Sequence, residues 1–224
     1  MTVERDSQEA DYLGLSSDTK PTTGINPGIQ FYETDTGKTY IWDGATWDLK
    51  SGAGGLLGTV GGSIVRVDAE VTRPADTTAY AAGDVIANST SAPALGVLAG
   101  AARVNGGSGY IVGLRMTTNQ KSITPRIRVV FYNASNPNLE DDNAPEVTKY
   151  ADTAKRVGSW DLAALATPAD TTNSDTSQVS DYTMRIPFVA AGGSTSLYFK
   201  LVTLDGFTPT SSEKFTLTVK VDQN

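Results

Sequence analysis

The C-terminal segment 214–222, Lys-Phe-Thr-Leu-Thr-Val-Lys-Val-Asp, alternates strictly, and this rhythm recurs along the chain. A period of two places Phe215, Leu217, Val219 and Val221 on one face of a strand, because successive side chains in extended backbone point to opposite sides. Segment 196–201 repeats the pattern with Leu197, Phe199 and Leu201. Further extended runs are expected over 64–72, 84–89, 95–103, 109–117, 123–133, 157–162 and 182–189, about nine strands in all. Turn clusters separate them, such as Asn105-Gly-Gly-Ser-Gly109 and Ala191-Gly-Gly-Ser194. No amphipathic helical run reaches twelve residues, and 149–156 makes a short helical turn at most. Short strands punctuated by Gly, Pro and Asn predict an all-β body, a β-sandwich or jelly roll.

Three regions separate by composition: 1–50, 51–63 and 64–224. The first is polar, holding nine acidic and four basic side chains against sixteen and fourteen in the remainder. It also gathers Phe31, Tyr32, Tyr40, Trp42 and Trp47 within seventeen residues. Segments 30–34 and 39–43 flank Asp35-Thr-Gly-Lys38, which reads as a hairpin turn, and 46–49 offers a third strand. A meander that small is marginal alone, so its aromatic rings are expected to pack on each other and on a partner. Segment 51–63 carries six glycines in thirteen positions and reads as a flexible connector. Segment 64–224 is the strand-rich body.

Two zeros restrict the chemistry. The 224 residues include no cysteine and no histidine, which excludes disulfides, thiolate nucleophiles, Ser-His-Asp machinery and His-liganded zinc. A net charge of −7 argues against a general nucleic-acid binder. No run approaches the ~18 apolar residues of a membrane span, and the polar start Met1-Thr-Val-Glu-Arg-Asp6 does not read as a secretory signal. The expectation is therefore a chain made in a cytoplasm, with neither nucleic acid nor membrane as partner.

The local motifs resolve into ordinary structure. Gly37-Lys38-Thr39 ends like a phosphate-binding loop, but Tyr32 occupies the place of its first glycine and strands flank it. The glycine run 52–58 has Leu57 where a dinucleotide fingerprint needs its third glycine. Ser211-Ser-Glu-Lys214 has the Ser-x-x-Lys spacing of penicillin-recognising enzymes without the helix or the partner motifs. Asn138-Leu-Glu-Asp-Asp-Asn143 gathers oxygen ligands that would suit calcium, yet lacks the glycine and spacing of an EF-hand, and reads as a solvated acidic loop. Segment 170–175 reads likewise. Asn88 and Asn133 sit in formal glycosylation sequons, which carry no weight without a secretory route. Glycoside hydrolysis needs only two carboxylates. Nothing in the body, with Glu70, Glu140, Glu146 and Glu213 as its glutamates, singles out a pair.

Two stretches carry a family likeness. Leu15-Ser-Ser-Asp-Thr-Lys-Pro21, followed by Phe31-Tyr-Glu-Thr-Asp-Thr-Gly-Lys-Thr-Tyr-Ile-Trp-Asp-Gly44 and Trp47, resembles a hairpin module near the start of head and tail proteins of tailed bacteriophages. The body stretches 73–85, 103–110, 142–145 and 150–156 are similar to phage capsid decoration, head-fibre and other virion structural proteins. The resemblance implies an all-β body in a symmetric homo-oligomer, commonly a trimer, on the exterior of a virion. It brings no catalytic, cofactor or metal residues with it. The expected role is a non-enzymatic decoration or cement protein that binds the major capsid protein or another virion protein through Phe31, Tyr32, Tyr40, Trp42 and Trp47. A tail-fibre or adaptor subunit contacting host glycan is the alternative, and a carbohydrate-active enzyme the third class.

Overall fold

The computed structural model describes residues 12–51, 63–170 and 172–224. The polar N-terminal start and nearly all of the glycine-rich connector lie outside the described residues. The chain divides into two compact units, Met1–Gly61 and Gly62–Asn224.

The N-terminal module is a four-stranded sheet in the order β1 (Tyr12–Gly14), β2 (Gln30–Glu33), β3 (Thr39–Trp42), β4 (Trp47–Ser51). The expected hairpin joins β2 and β3, with Gly37 supplying a positive φ of 67° in its turn. The Asp43 carboxylate organises the next turn by accepting from the amides of Ala45 and Thr46 at 2.7 and 2.6 Å. Strand β4 is the third strand, and β1, which pairs in parallel with β2, is a fourth that the sequence does not announce.

The body is a β-sandwich. Its strands are β5 (Ser63–Thr72), β6 (Val85–Ile86), β7 (Gly96–Leu98), β8 (Ser108–Thr118), β9 (Ile127–Tyr132), β10 (Arg156–Asp161), β11 (Ser177–Asp181), β12 (Ile186–Val189), β13 (Leu197–Thr203) and β14 (Lys214–Gln223). One sheet runs β10-β9-β13-β6, with β7 also on β13. The other runs β11-β8-β14-β5, with β12 also on β8. The only helical element among the described residues is a 3-10 turn, Tyr150–Lys155.

The alternating runs do what their period requires. Leu197, Phe199, Leu201, Phe215, Leu217, Val219 and Val221 are all fully buried and join one core with Ile111, Leu114, Met116, Val129 and Phe131. The Ile111–Leu114 spacing breaks the period because Val112 is an extra residue in β8, where the register with β14 steps from Lys220↔Gly113 to Val221↔Ile111.

Strand β9 has a continuous apolar end because both of its faces are covered. Val130 and Tyr132 turn away from the main core into a second cluster with Val85, Ala87 and Val202, closed by Leu139.

Several expected strands are shorter, for identifiable reasons. Segment 84–89 forms a strand only at β6, with one isolated bridge from Asp84 to Pro145, since the Ala87 amide donates to the Asp142 carboxylate at 2.8 Å instead of to a strand. In 95–103, Ala101 and Ala102 are apolar because they plug the core, not because they pair. Pro125, which has no N–H for a ladder, precedes β9. Strand β11 was not expected: Ser-Gln-Val-Ser-Asp has one apolar side chain, and its outward face is polar. It ends where Asp181 accepts from the Thr183 amide at 2.8 Å, so pairing resumes only at Ile186.

Candidate functional site

The register of the module sheet sorts its side chains onto two faces, because directly paired residues project to the same side. One face carries Tyr12, Phe31, Tyr40 and Leu49 in a row, with Trp42 opposite Trp47. Segment 15–29 covers it. Lys20 lies over the rings of Phe31 and Tyr40, with its ammonium 4.9 and 4.3 Å from their centroids. Trp47 donates its indole N–H to the Pro21 carbonyl at 2.7 Å and sits 5.5 Å from Trp42 and 6.0 Å from Phe31. Charge-assisted bonds tie the covering segment down. Lys20 pairs with Glu33 at 2.7 Å, and Ser16 donates its hydroxyl and amide to Asp35 at 2.6 and 2.8 Å. The Lys20 and Thr36 bonds hold the Glu33 carboxyl below the usual range, and Ser16 does the same for Asp35.

Two of the five expected partner-binding side chains, Phe31 and Trp42, are buried in the module's own core at 4% and 5% exposure. The meander is not short of a core, because the polar-looking segment 15–29 supplies its cover. Tyr40 and Trp47 are half-buried on the same face.

Tyr32 alone of the five points the other way. It is 41% exposed, paired with Leu13, which is 73% exposed. Ile41 lies diagonal to it on β3, between Gln30 and Asp48. Leu13, Tyr32 and Ile41 thus form an apolar stripe on the open face of the module. Sequence reasoning missed Leu13 and Ile41, since only the register places them beside Tyr32.

The body's charged clusters are internal ties. The Arg73 guanidinium, fully buried, pairs with Asp142 at 2.9 Å and donates through Nε to the Tyr80 hydroxyl. Tyr80 in turn donates to Asp142 at 2.6 Å, and its ring stacks on Phe207. Burial, then Asp142, pushes the Tyr80 phenol above its ordinary value.

Lys200, also fully buried, reaches Glu140 and Glu146 at 3.1 and 3.3 Å. Burial works against its charge, but Tyr132, Glu146 and Glu140 outweigh it and hold the ammonium above its ordinary value. The acidic segment 138–143 is therefore not a solvated loop: Glu140 and Asp142 are its buried fasteners. Among the described residues, no group of three or more acidic side chains is placed to hold a metal ion, and no helix is long and apolar enough to cross a membrane.

Family models, curated proteins and solved structures were compared with the chain, and none matches it.

Proposed function

We propose that this protein is a non-enzymatic structural component of a tailed-phage particle, an auxiliary decoration or cement protein on the capsid exterior. The N-terminal module docks on the major capsid protein or another virion protein, and the protein assembles as a trimer. The observation that carries this reading is the open face of the module. A unit this small has satisfied its aromatic core internally and still displays Leu13, Tyr32 and Ile41 in one stripe. Burying a side chain of this kind is worth about 1.5–3 kcal/mol, so each contact is weak alone. A trimer multiplies such contacts through effective concentration. The resemblance of segments 15–21 and 31–44 to phage head and tail modules supports the assignment. The structure gives those motif residues a physical role in holding the module together through Ser16–Asp35 and Lys20–Glu33.

The test is to strip the protein from particles of its phage and add back full-length chain, wild type or carrying Leu13→Ser and Tyr32→Ser together. Both substitutions are on the open face and leave the Phe31–Trp42–Trp47 core intact. Wild type re-decorates the shell in microscopy at symmetry-related positions and scatters light as a trimer, while the variant loses most of its occupancy. Equal occupancy by the variant would sink the reading, as would a location confined to the tail.

A further inference from the structure

The outer face of the β11-β8-β14-β5 sheet is open, and its register arranges it in rows. Gln178 lies beside Thr117 in one, and Ser180 beside Arg115 and Thr218 in the next. Tyr182 follows β11 and comes down on Gly113. A methyl group at Gly113 would stand 2.3 Å from Cδ1 of Tyr182 and 2.9 Å from Cε1, so glycine is what lets the ring settle on the sheet. Tyr182 as a whole stays 52% exposed and borders two grooves. On one side Lys220 approaches the ring centroid to 4.3 Å and lines a groove of about 450 Å³ with Ile64 and Val112.

The other groove, about 600 Å³, has Arg115, Gln178 and Ser180 on its floor and Ala166, Thr167 and Pro168 along its rim. The rim is fixed, since Ala166 and Gln178 exchange backbone hydrogen bonds at 2.9 and 3.2 Å. Arg115 spends one N–H on Thr218 at 3.3 Å, while its buried Nε finds no partner among the described residues. Asp68, bonded to Thr218 at 2.5 Å in the same row, is the ion-pair partner of Arg66 at 2.9 Å and not of Arg115.

An occupant must present an apolar face to an aromatic ring and to Ala166 and Pro168, an acceptor to Arg115, and groups that both donate and accept to Gln178 and Ser180. A phosphate or sulfate offers acceptors alone, and has no apolar face to set against Tyr182, Ala166 and Pro168. An apolar side chain leaves Arg115 unpaired. A neutral pyranose meets all of these demands, with C–H bonds on its face and hydroxyls at its rim. We propose that this groove binds a neutral carbohydrate, one sugar ring stacked on Tyr182 with its hydroxyls bonded to Arg115, Gln178 and Ser180. The site is on the body and does not depend on where the protein is attached.

The full-length chain, isotopically labelled, is titrated in NMR with glucose, galactose, mannose, rhamnose and N-acetylglucosamine, and with sodium sulfate as the anion control. At least one sugar shifts the Tyr182 ring and Gln178 side-chain amide signals to saturation. Gln178→Ala, an exposed position that cannot unfold the body, weakens binding about tenfold or more, as does Tyr182→Ala. Gly113→Ala does the same by displacing the ring without removing it. Tyr110→Ala, beneath Arg185 elsewhere on the same face, leaves binding unchanged. If none of these sugars moves the two signals, if sulfate alone moves them, or if Tyr182→Ala and Gln178→Ala bind like wild type, the proposal is wrong.

Discussion

Asp142→Ala tests whether the body is held by the buried tie between two of its longest connections. The carboxylate accepts three bonds: from Arg73 Nη2 at 2.9 Å, the Tyr80 hydroxyl at 2.6 Å and the Ala87 amide at 2.8 Å. Removing it strands a guanidinium with no exposed surface, whose other acidic neighbour, Asp76, is 3.4 Å away and partly in solvent. Breaking a buried ion pair from one side costs about 3–5 kcal/mol. The orphaned Tyr80 hydroxyl and Ala87 amide would each add about 1–3 kcal/mol if they found no water, but such terms do not sum. We expect a loss of about 4 kcal/mol, which lowers the melting temperature of a domain this size by on the order of 10 °C.

The companion variant is Arg73→Met. If the cost is mainly the stranded charge, Asp142→Ala in the Arg73→Met background should cost about 2 kcal/mol less than in the wild type. Thermal and urea melts of the four proteins give the cycle. Additive losses, or a change under about 1 kcal/mol for Asp142→Ala, would refute the argument that this pairing organises the connections.

Two further outcomes follow from the same structure. Phe215→Ala, which empties a fully buried site edge-on to Phe207, should cost about 3–5 kcal/mol in urea melts, and an unchanged midpoint would contradict the described core. The Asp205 carboxyl, held at about 2 by the Arg126 side chain and amide, contributes fully above its ordinary value of 3.8 and loses that contribution as pH falls toward 2. Asp205→Asn should therefore flatten the acid limb of the melting curve between about pH 4 and pH 2, and an unaltered limb would count against it.

What the sequence made legible follows from which interactions are local. Strands β13 and β14 were readable because one face is core and the other solvent, so burial writes itself as alternation. Strand β9 was readable only as apolar, since its second face is buried by a loop more than one turn of sequence away. Strand β11 was invisible because it is held by backbone bonds to β8, which leave no mark on side-chain choice. The Arg73–Asp142 contact spans 69 positions, and neither residue differs locally from a surface charge. The groove beside Tyr182 depends on a glycine one strand away, so a tyrosine in a polar run looked like nothing in particular.

The module shows how composition leaves the face of each ring undecided. Five aromatic side chains in seventeen positions did mark a packing centre, but the parity that decides which face each ring takes comes from the β2–β3 register and not from composition. Phe31, Tyr40 and Trp42 share one parity across the hairpin, and Tyr32 has the other. The covering segment, with Lys20 over two rings and Pro21 receiving the Trp47 indole, is polar in sequence and apolar in effect, because a lysine stem buries its methylenes while its charge reaches Glu33. It follows that Trp42→Ala and Tyr32→Ser report different things. The first opens the module's core, so any loss of docking would come with altered tryptophan emission and would say nothing about a contact. The second leaves the three rings and their cover in place, so a loss of docking without that spectral change locates the contact on the open face.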